Sequence, residues 1–410
     1  MRNKDTIKKL SQTHDSFYLY DEAVIREKTN YLKDNFPGVK FLYSVKCNPN
    51  KNVLETIFDE GFGADAASLG EVLKSEALGL PKEEIYYSAP GKLEKDIERA
   101  IDKSVIIADS IAEIYRIENV AQKRDEVVSI GVRVNPNFTL DGDTCQFNKF
   151  GVDEEQLDEY LNGTQCPHVR ITGLHVHLKS QELRTEKMAR YYKKVFALAS
   201  KYAELLGGLE YVNLGSGLGV EYAIEDEPID VEYLGNVAKE EMGNFKAENP
   251  DTQIMIETGR YITCKSGVYV TKVIERKVSC GKTFLIVRST LNGFARPSYE
   301  QMFTQCGRYD SPAAEPLFTR NKAFQFEVIE GVVSQNVEIE SRPLETVTIF
   351  GNLCTSNDII ATDIELQRLE EGDLIVINNA GSYAAVITPM QFSSQEPPAE
   401  IFLAQDGDIR

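Results

Sequence analysis

One lysine stands where it could act as a nucleophile. Lys46 ends an apolar run, FLYSVKCNPN, whose neighbours would partly desolvate its ammonium group. Desolvation lowers the pKa of a lysine and frees an amine that can form a Schiff base with a carbonyl compound. A solvated lysine in a strand-to-helix loop would have the same sequence, so Lys46 alone is weak evidence.

Two further segments contain residue types that suit a phosphate and a heteroaromatic ring. In LGSGLG, at residues 214–219, Gly215 and Gly217 carry no side chain and let backbone N–H groups approach a phosphate. In IETGR, the forked donors of Arg260 suit a phosphate dianion, and the Glu257 carboxylate could hold a proton on a ring nitrogen. A tight turn and an ordinary ion pair would use the same residues, so each segment alone is ambiguous.

Two histidines, a cysteine and a tyrosine offer further chemistry. His175 and His177 alternate in GLHVHLKSQ and so share one face of a strand, where they could ligate zinc or stack on a flat cofactor ring. For His175, a satisfied core histidine is an equally good interpretation. Cys354 could serve as a general acid if its surroundings tune its pKa, and the Tyr383 hydroxyl could reach a phosphate. Both residues could equally be packing residues.

Eight apolar runs rich in β-branched residues, each followed by a helical pattern, would position these groups. Strands that alternate with helices predict parallel βαβ units, and eight units close into a barrel with its chemistry at the C-terminal ends of the strands. The runs span residues 39–46, 61–68, 84–89, 104–110, 127–135, 170–178, 209–217 and 253–259. Their ends carry Lys46, Asp65, Arg133, His175, His177, Gly215, Gly217, Glu257 and Arg260.

From about residue 265 the pattern changes to strand-like runs separated by Gly, Asn, Pro and charged turns, with little helical periodicity. We therefore expect an α/β fold in which a (β/α)8 TIM-like barrel of residues 22–265 precedes an all-β domain of residues 266–410. The extended run 16–20, in the N-terminal segment 1–21, is expected to pair with that β domain. The strand-like runs are residues 267–278, 283–289, 323–333, 346–350 and 373–378.

Composition excludes several classes of protein. The net charge is 45 − 64 = −19, which argues against nonspecific binding to nucleic acid or to an anionic membrane surface. No run approaches the roughly 18 apolar residues of a membrane span, and the N-terminus does not resemble a signal peptide. The seven cysteines form no CxxC pair and are odd in number, which is typical of reduced thiols. We expect a cytoplasmic protein.

Taken in chain order, nine segments resemble the motifs of the fold-type III pyridoxal-phosphate-dependent decarboxylases. That family includes diaminopimelate, ornithine and arginine decarboxylases, with the alanine racemases as more distant relatives. A single motif of this kind is weak evidence, whereas nine in order along nearly the whole chain are specific. The segments are YSVKCNP, GADAASLGE, FNKFGV, HVHLKSQ, LGSGLG, ETGR, ARPSY, LCTSND and GSY.

The resemblance implies pyridoxal 5′-phosphate as cofactor and an alanine racemase-like pair of domains. Lys46 would bind the cofactor covalently, Glu257 would contact its ring nitrogen, and His177 would stack on the ring. Cys354 would be the proton donor and would come from a second subunit, so the active unit would be a two-fold homodimer with shared active sites. The other implied cofactor residues are Asp65, Ser180, Gly215, Gly217, Gly259, Arg260 and Tyr383, and the implied substrate residues are Arg296, Tyr299, Thr355 and Asp358.

The residue after the cysteine bears on the substrate. Family members that act on diamino acids typically place an acid there to hold a distal ammonium group, whereas Thr355 offers a hydrogen bond but no charge. In this respect the sequence is similar to a branch from siderophore and aminoglycoside biosynthesis, whose substrates are conjugated at the far end. We therefore expect the α-decarboxylation of a diamino acid or conjugated amino acid, with meso-diaminopimelate decarboxylase as the alternative because Arg296 and Tyr299 remain. Other departures are Lys179, Ser216 and the triplet 288–290.

The identity of the ring-nitrogen partner favours a decarboxylase over a racemase. A carboxylate such as Glu257 keeps that nitrogen protonated, which makes the ring a strong electron sink, whereas an arginine would not. Two less favoured alternatives are a metal-dependent barrel hydrolase that uses His175 and His177, and a non-catalytic pyridoxal-phosphate-binding protein. Proteins of the latter kind lack the appended β domain.

Overall fold

The computed structural model describes residues 3–163, 166–305, 307, 323–331 and 338–410. These residues fall into two units. The barrel unit comprises residues 26–219 and 228–259, and the β unit comprises the described residues within 1–25, 220–227 and 260–410. In the described part of the chain, no helix combines the length and apolar character that a membrane crossing requires.

Two helices and one strand precede the barrel: α1 (Lys4–Leu10), β1 (Ser16–Asp21) and α2 (Glu22–Asn35). The next nine strands are β2 (Val39–Ser44), β3 (Gly63–Ala66), β4 (Ile85–Tyr87), β5 (Val105–Ala108), β6 (Val128–Asn135), β7 (Val152–Asp153), β8 (Val169–His175), β9 (Tyr211–Asn213) and β10 (Gln253–Thr258). The helices between them are α3 (Lys51–Asp59), α4 (Leu69–Ala77), α5 (Glu94–Ala100), α6 (Ile111–Arg124), α7 (Glu154–Gly163), α8 (Thr185–Leu206) and α9 (Val231–Lys246).

Eight of these strands close into a parallel barrel. They pair in the order β5-β4-β3-β2-β10-β9-β8-β6, and a further pairing of β5 with β6 completes the cylinder, while β7 adds only a two-residue pairing to β6. All eight predicted barrel strands are confirmed. Most end earlier than predicted, because the polar residues at their C-terminal ends belong to the loops that follow.

Local signals fix the ends of the barrel helices. The side chains of Ser68 and Ser110 accept hydrogen bonds from backbone N–H groups in the first turns of α4 and α6, as expected for N-cap serines. Helix α8 ends where Gly207 adopts a left-handed conformation with φ of 74°. The helix begins at Thr185, after the polar segment that follows β8.

The remaining elements belong to the β unit: α10 (Arg260–Thr263), β11 (Gly267–Ser279), β12 (Lys282–Val287), α11 (Ala295–Gln305), β13 (Phe326–Ile329), β14 (Leu344–Gly351), β15 (Ile359–Gln367), β16 (Leu374–Ile377) and β17 (Ala399–Leu403). The sheet runs β13-β16-β11-β12-β14-β15, and β1 pairs with β11 antiparallel and with β17 parallel. A core cluster beneath it contains Ile7, Leu10, Phe17, Leu19, Val270, Ile329, Leu374, Val376 and Ile401.

The β unit differs from an all-β domain in two helices that carry site residues, since α10 begins at Arg260 and α11 contains Arg296. Helix α11 was not predicted, because its buried positions include Arg296, Ser298 and Glu300 and so show no apolar stripe. Strands β15 and β17 were not predicted either. The predicted strand 323–333 corresponds to β13, and its last two residues lie outside the described part of the chain.

Candidate active site

Lys46 and Asp65 form an ion pair in the barrel unit. Lys46 is not in a strand as predicted, since β2 ends at Ser44 and the lysine lies in the short 3-10 turn Val45–Cys47. Its Nζ lies 2.8 Å from Oδ2 of Asp65, which is fully buried. The same carboxylate accepts hydrogen bonds from the hydroxyls of Ser44 at 2.8 Å and Ser88 at 2.6 Å. The lysine is therefore anchored to a rigid acceptor, while 43% of its side chain remains exposed.

This ion pair corrects the expected charge state of Lys46. Burial acts to lower the pKa of the lysine, but the negative charges of Asp65 and Glu257 outweigh it and raise the pKa above the ordinary value. The prediction of a lowered pKa is wrong because it considered only apolar neighbours and not the carboxylate at the end of the adjacent strand. Before it reacts as a nucleophile, the amine must give up a proton that Asp65 helps to hold.

Glu257, near the end of β10, is a buried carboxylate that stays ionised. Its Oε1 accepts a hydrogen bond from Nδ2 of Asn213 at 2.9 Å, and Nε2 of His175 lies 3.2 Å from the same oxygen. Burial would raise the pKa of Glu257, but His175 first, and then His177 and Lys46, lower it below its ordinary value. A buried carboxylate held in the charged state can keep a proton on a heteroaromatic nitrogen.

His177 is a neutral imidazole that the chain holds from several sides. Its Nδ1 accepts a hydrogen bond from the backbone N–H of Ser216 at 2.9 Å, and the Ser180 hydroxyl lies 3.4 Å from Nε2. The Arg133 guanidinium donates to the carbonyl of His177 at 3.0 Å. Burial, followed by the charge of Arg133, lowers the pKa of His177 to about 3. The ring thus offers a flat, uncharged face near neutral pH.

The glycine-rich loop packs where no side chain would fit. Gly215 and Gly217 have φ values of 69° and 152°, and a Cβ at Gly215 would lie 2.2 Å from the carbonyl oxygen of Val176. A Cβ at Gly259 would lie 2.2 Å from Sγ of Cys47. At Gly215 main chain thus approaches main chain closely, and a glycine-rich loop of this kind can surround a phosphate with N–H donors.

In the β unit, two buried arginines share one tyrosine hydroxyl. Arg260 and Arg296 each donate to the hydroxyl of Tyr222, at 2.9 and 3.1 Å. Arg260 also lies 4.7 Å from the ring centroid of Tyr383. Neighbouring guanidinium groups form a positive region that suits an anionic oxygen group. Sequence reasoning missed Tyr222, because a tyrosine beyond the glycine-rich loop carries no motif of its own.

The predicted proton donor, Cys354, lies in the loop between β14 and β15 of the β unit. Cys354 is exposed, and its Sγ lies 3.5 Å from the hydroxyl of Ser393. Thr355 follows it, and its hydroxyl accepts a long hydrogen bond of 3.5 Å from the backbone of Asn357. Tyr299, on α11, is half-buried against a small cluster that contains Leu353. A thiol and a neutral hydroxyl are therefore adjacent on one loop.

Asp358 shapes that loop from within. It is 1% exposed, and its carboxylate accepts hydrogen bonds from the backbone N–H groups of Leu291 and Leu353, both at 2.9 Å, and from the hydroxyl of Thr290. We interpret Asp358 as a structural residue rather than as the substrate ligand that the motif implied.

These residues fit pyridoxal 5′-phosphate, which consists of an aldehyde, a pyridine ring and a phosphate. The barrel unit provides an amine at Lys46 for the aldehyde, an ionised carboxylate at Glu257 for the ring nitrogen and a flat neutral imidazole at His177 for the ring face. It also provides a glycine-rich loop whose backbone N–H groups suit the phosphate. In the described residues, no group of three His, Cys, Asp or Glu side chains could hold a metal ion.

Comparisons with known proteins agree with this chemistry. The family model for the pyridoxal-dependent decarboxylases, pyridoxal binding domain, matches residues 22–264, which confirms the resemblance drawn from the nine motifs. The chain is 28% identical to the L-glutamyl-[BtrI acyl-carrier protein] decarboxylase of Niallia circulans, over 94% of this chain and 88% of that protein. It is 27% identical to the 2-[(L-alanin-3-ylcarbamoyl)methyl]-2-hydroxybutanedioate decarboxylase of Staphylococcus aureus, over 95% of this chain and 94% of that protein.

A solved structure extends the likeness to the fold. The crystal structure of diaminopimelate decarboxylase from Helicobacter pylori complexed with L-lysine superimposes with a TM-score of 0.79 at 28% identity, covering 98% of this chain and 95% of that chain. The likeness therefore includes the β unit as well as the barrel unit.

Proposed function

Because this chain belongs to the pyridoxal-dependent decarboxylases, we propose that it removes the α-carboxylate of an amino acid whose distal end is acylated or otherwise conjugated. The enzyme is a carboxy-lyase of amino-acid metabolism, and its cofactor is pyridoxal 5′-phosphate. When bound, this cofactor supplies an electron sink for the electron pair that remains on Cα after carbon dioxide leaves.

The buried, ionised Glu257 is the observation that carries the proposal of decarboxylation. An ionised carboxylate in a water-poor site favours a protonated ring nitrogen, and a protonated ring accepts electrons from Cα most strongly. We assign Lys46 to covalent attachment, Asp65 to the control of its proton, and His177 to the face of the ring. We assign the phosphate to Ser180, Gly215, Gly217, Gly259, Arg260 and Tyr383.

Thr355 is the feature that favours a conjugated substrate. Its hydroxyl has no charge with which to balance a distal ammonium group, whereas an acyl or amide group needs only a hydrogen bond. Two relatives carry conjugated substrates in their names, a glutamyl carrier protein in one and a carbamoyl conjugate in the other. Both support a substrate in which the far end is not a free amine.

meso-Diaminopimelate is the second candidate substrate. Its distal carboxylate would suit an arginine, and Arg296 is a fully buried arginine on α11. The Helicobacter pylori relative bears that activity in its name. Arg296 and Tyr299 are the proposed substrate contacts in either case.

Cys354 is the proposed proton donor to Cα, with Lys46 as the other candidate. The resemblance implies that the thiol acts on the cofactor of a second copy of the chain, so we propose a homodimer with shared active sites. The exposure of Cys354 supports this assignment, because a thiol that acts on another copy must be accessible in the single chain. The spacing of the cysteines supports a reducing compartment such as the cytoplasm.

The test is to measure carbon dioxide released from a substrate panel. The purified protein, loaded with pyridoxal phosphate, is incubated with meso-diaminopimelate, lysine, ornithine, arginine and acylated diaminopropionates. We expect the highest kcat/KM with an acylated diaminopropionate and release at the background level from Lys46→Ala. A protein that binds the cofactor through Lys46 but releases carbon dioxide only from unconjugated diamino acids would contradict the proposed substrate class.

A further inference from the structure

One oxygen of Glu257 is contacted by two side chains to which no role has yet been given. Asn213 ends β9 and donates to Oε1 at 2.9 Å, and His175 ends β8 with its Nε2 3.2 Å from the same Oε1. The three residues are nearly inaccessible, with exposures of 0% for Asn213, 1% for His175 and 3% for Glu257. They come from three adjacent barrel strands.

The two oxygens of the carboxylate are therefore unequal. Both contacts fall on Oε1, and Oε2 accepts no hydrogen bond from any residue that the structure describes. An ionised carboxylate can accept at both oxygens. Glu257 thus has one oxygen committed to the protein and one left for a ligand.

The side chain of Asn213 is itself held by the glycine-rich loop of residues 214–219. Its Oδ1 accepts a hydrogen bond from the backbone N–H of Gly215 at 2.9 Å, which orients the amide so that Nδ2 faces Glu257. The backbone N–H of Glu257 in turn donates to the carbonyl of Gly215 at 2.9 Å. The same glycine thus ties the loop both to the asparagine and to the main chain of the glutamate.

His175 is not the satisfied core histidine that the sequence allowed. Both ring nitrogens are buried, and neither makes an aligned hydrogen bond within the described residues, so its approach to Glu257 is its main polar contact there. A buried imidazole without good hydrogen bonds costs stability, and such exceptions call for an explanation. The explanation here lies in the charge of Glu257, which His175 stabilises more than any other residue.

We propose that His175 and Asn213 are positioning residues that hold Glu257 in one orientation, leaving Oε2 for the protonated ring nitrogen of the cofactor. This inference rests on the proposed function, because it assigns the free oxygen to that nitrogen. Groups behind a charged ligand commonly fix its orientation and tune its basicity, as they do at metal sites.

The test compares His175→Leu and Asn213→Leu, which remove a polar contact to Oε1 of Glu257, with His175→Gln, which keeps a polar side chain at position 175. His168→Gln is the matched control, because His168 forms another His–Glu pair, with its Nδ1 2.7 Å from Oε1 of Glu118. The dissociation constant of pyridoxal phosphate is measured by fluorescence titration of each apoprotein. The protonation of the ring nitrogen is read from the 15N NMR shift of 15N-labelled cofactor, and thermal unfolding of each apoprotein reports folding.

In His175→Leu we expect cofactor binding about tenfold weaker, the factor that corresponds to one unit in the pKa of Glu257, and a 15N shift toward the unprotonated ring. His175→Gln should restore both values toward the wild type, and His168→Gln should match the wild type. Folded Leu variants with wild-type binding and a wild-type 15N shift would overturn the inference and leave the proposed function intact. Absence of cofactor binding by the wild type would instead overturn the proposed function.

Discussion

The ammonium group of Lys46 lies 2.8 Å from the carboxylate of Asp65, which is fully buried. The two residues come from neighbouring strands, since Asp65 pairs in register with Ser44, two residues before the lysine. The pairing of β2 with β3 therefore sets the charge state of the amine. Without the cofactor, the side chain of Lys46 is a charged ammonium group that the carboxylate of Asp65 holds in one orientation.

Asp65→Asn should lower the pKa of Lys46 in the apoprotein, because it removes the nearest negative charge. At mildly alkaline pH, Lys46 of the variant should then react several-fold faster with an amine-acylating reagent. Competitive labelling followed by peptide mapping measures this rate, and Lys51, with 73% of its side chain exposed, is an internal control. Equal labelling of Lys46 in both proteins would show that Asp65 does not hold its proton.

The lowered pKa of His177 predicts a pH dependence of stability. Its pKa falls from 6.5 in the unfolded chain to about 3 in the fold. Between these two pH values, the unfolded chain binds a proton at His177 and the folded chain does not. The contribution of the neutral His177 ring to the free energy of unfolding is fully present above the pKa of the unfolded chain. It is lost as the pH falls toward the pKa of the folded chain, by up to about 1.4 kcal/mol per pH unit.

The slope of the free energy of unfolding against pH reports how many protons the chain takes up on unfolding. Below neutral pH, His177→Asn should lower that number by up to one. Urea denaturation of the apoproteins at a series of pH values below neutral measures it, with His14→Asn as a control in the β unit. Parallel stability curves for His177→Asn and the wild type would mean that His177 takes up its proton equally in both states.

Tyr222→Phe should weaken cofactor binding and raise KM together. The substitution removes one acceptor that both Arg260 and Arg296 use, and a hydrogen bond to a charged donor contributes about tenfold in affinity. Cofactor titration and steady-state kinetics measure the two effects. Tyr233→Phe, at a tyrosine that is 49% exposed, is the control. A change in KM alone would show that Tyr222 serves only the substrate arginine.

Cys354→Ala should leave the cofactor bound but slow product formation by about a hundredfold, the usual contribution of a general acid. Part of the product should be diverted to transamination, because the proton no longer reaches Cα from the thiol. Product analysis by mass spectrometry measures the ratio, and Cys280→Ala, at another exposed cysteine, is the control. An unchanged rate and product ratio would assign the proton to Lys46.

Thr355→Glu should shift preference toward substrates with a free distal ammonium group. A partly exposed ion pair contributes up to about fivefold, so the ratio of kcat/KM for lysine to that for an acylated diaminopropionate should rise by that factor. Thr355→Gln introduces a side chain of nearly the same size as glutamate but without its charge, and it should leave this ratio of kcat/KM values unchanged. An equal shift in both variants would indicate a steric effect rather than charge recognition.

The sequence by itself determined the architecture and the chemistry. The alternation of apolar runs with helical patterns predicted all eight barrel strands, because parallel strands buried on both faces are continuous apolar segments. Nine motifs in order identified the family and hence the cofactor. The ends of α4, α6 and α8 also depend on nearby residues, since the N-cap serines and Gly207 lie next to the helix ends that they set.

The tertiary structure decided what depends on contacts between distant residues. The pKa of Lys46 is raised rather than lowered, because Asp65 lies on the neighbouring strand. His175 contacts Glu257, and Tyr222 joins two arginines from other segments, which no local pattern encodes. Helix α11 escaped prediction because it buries polar side chains. Local periodicity and capping can be recognised along the chain, whereas charge states and shared hydrogen-bond partners depend on which segments meet in the fold.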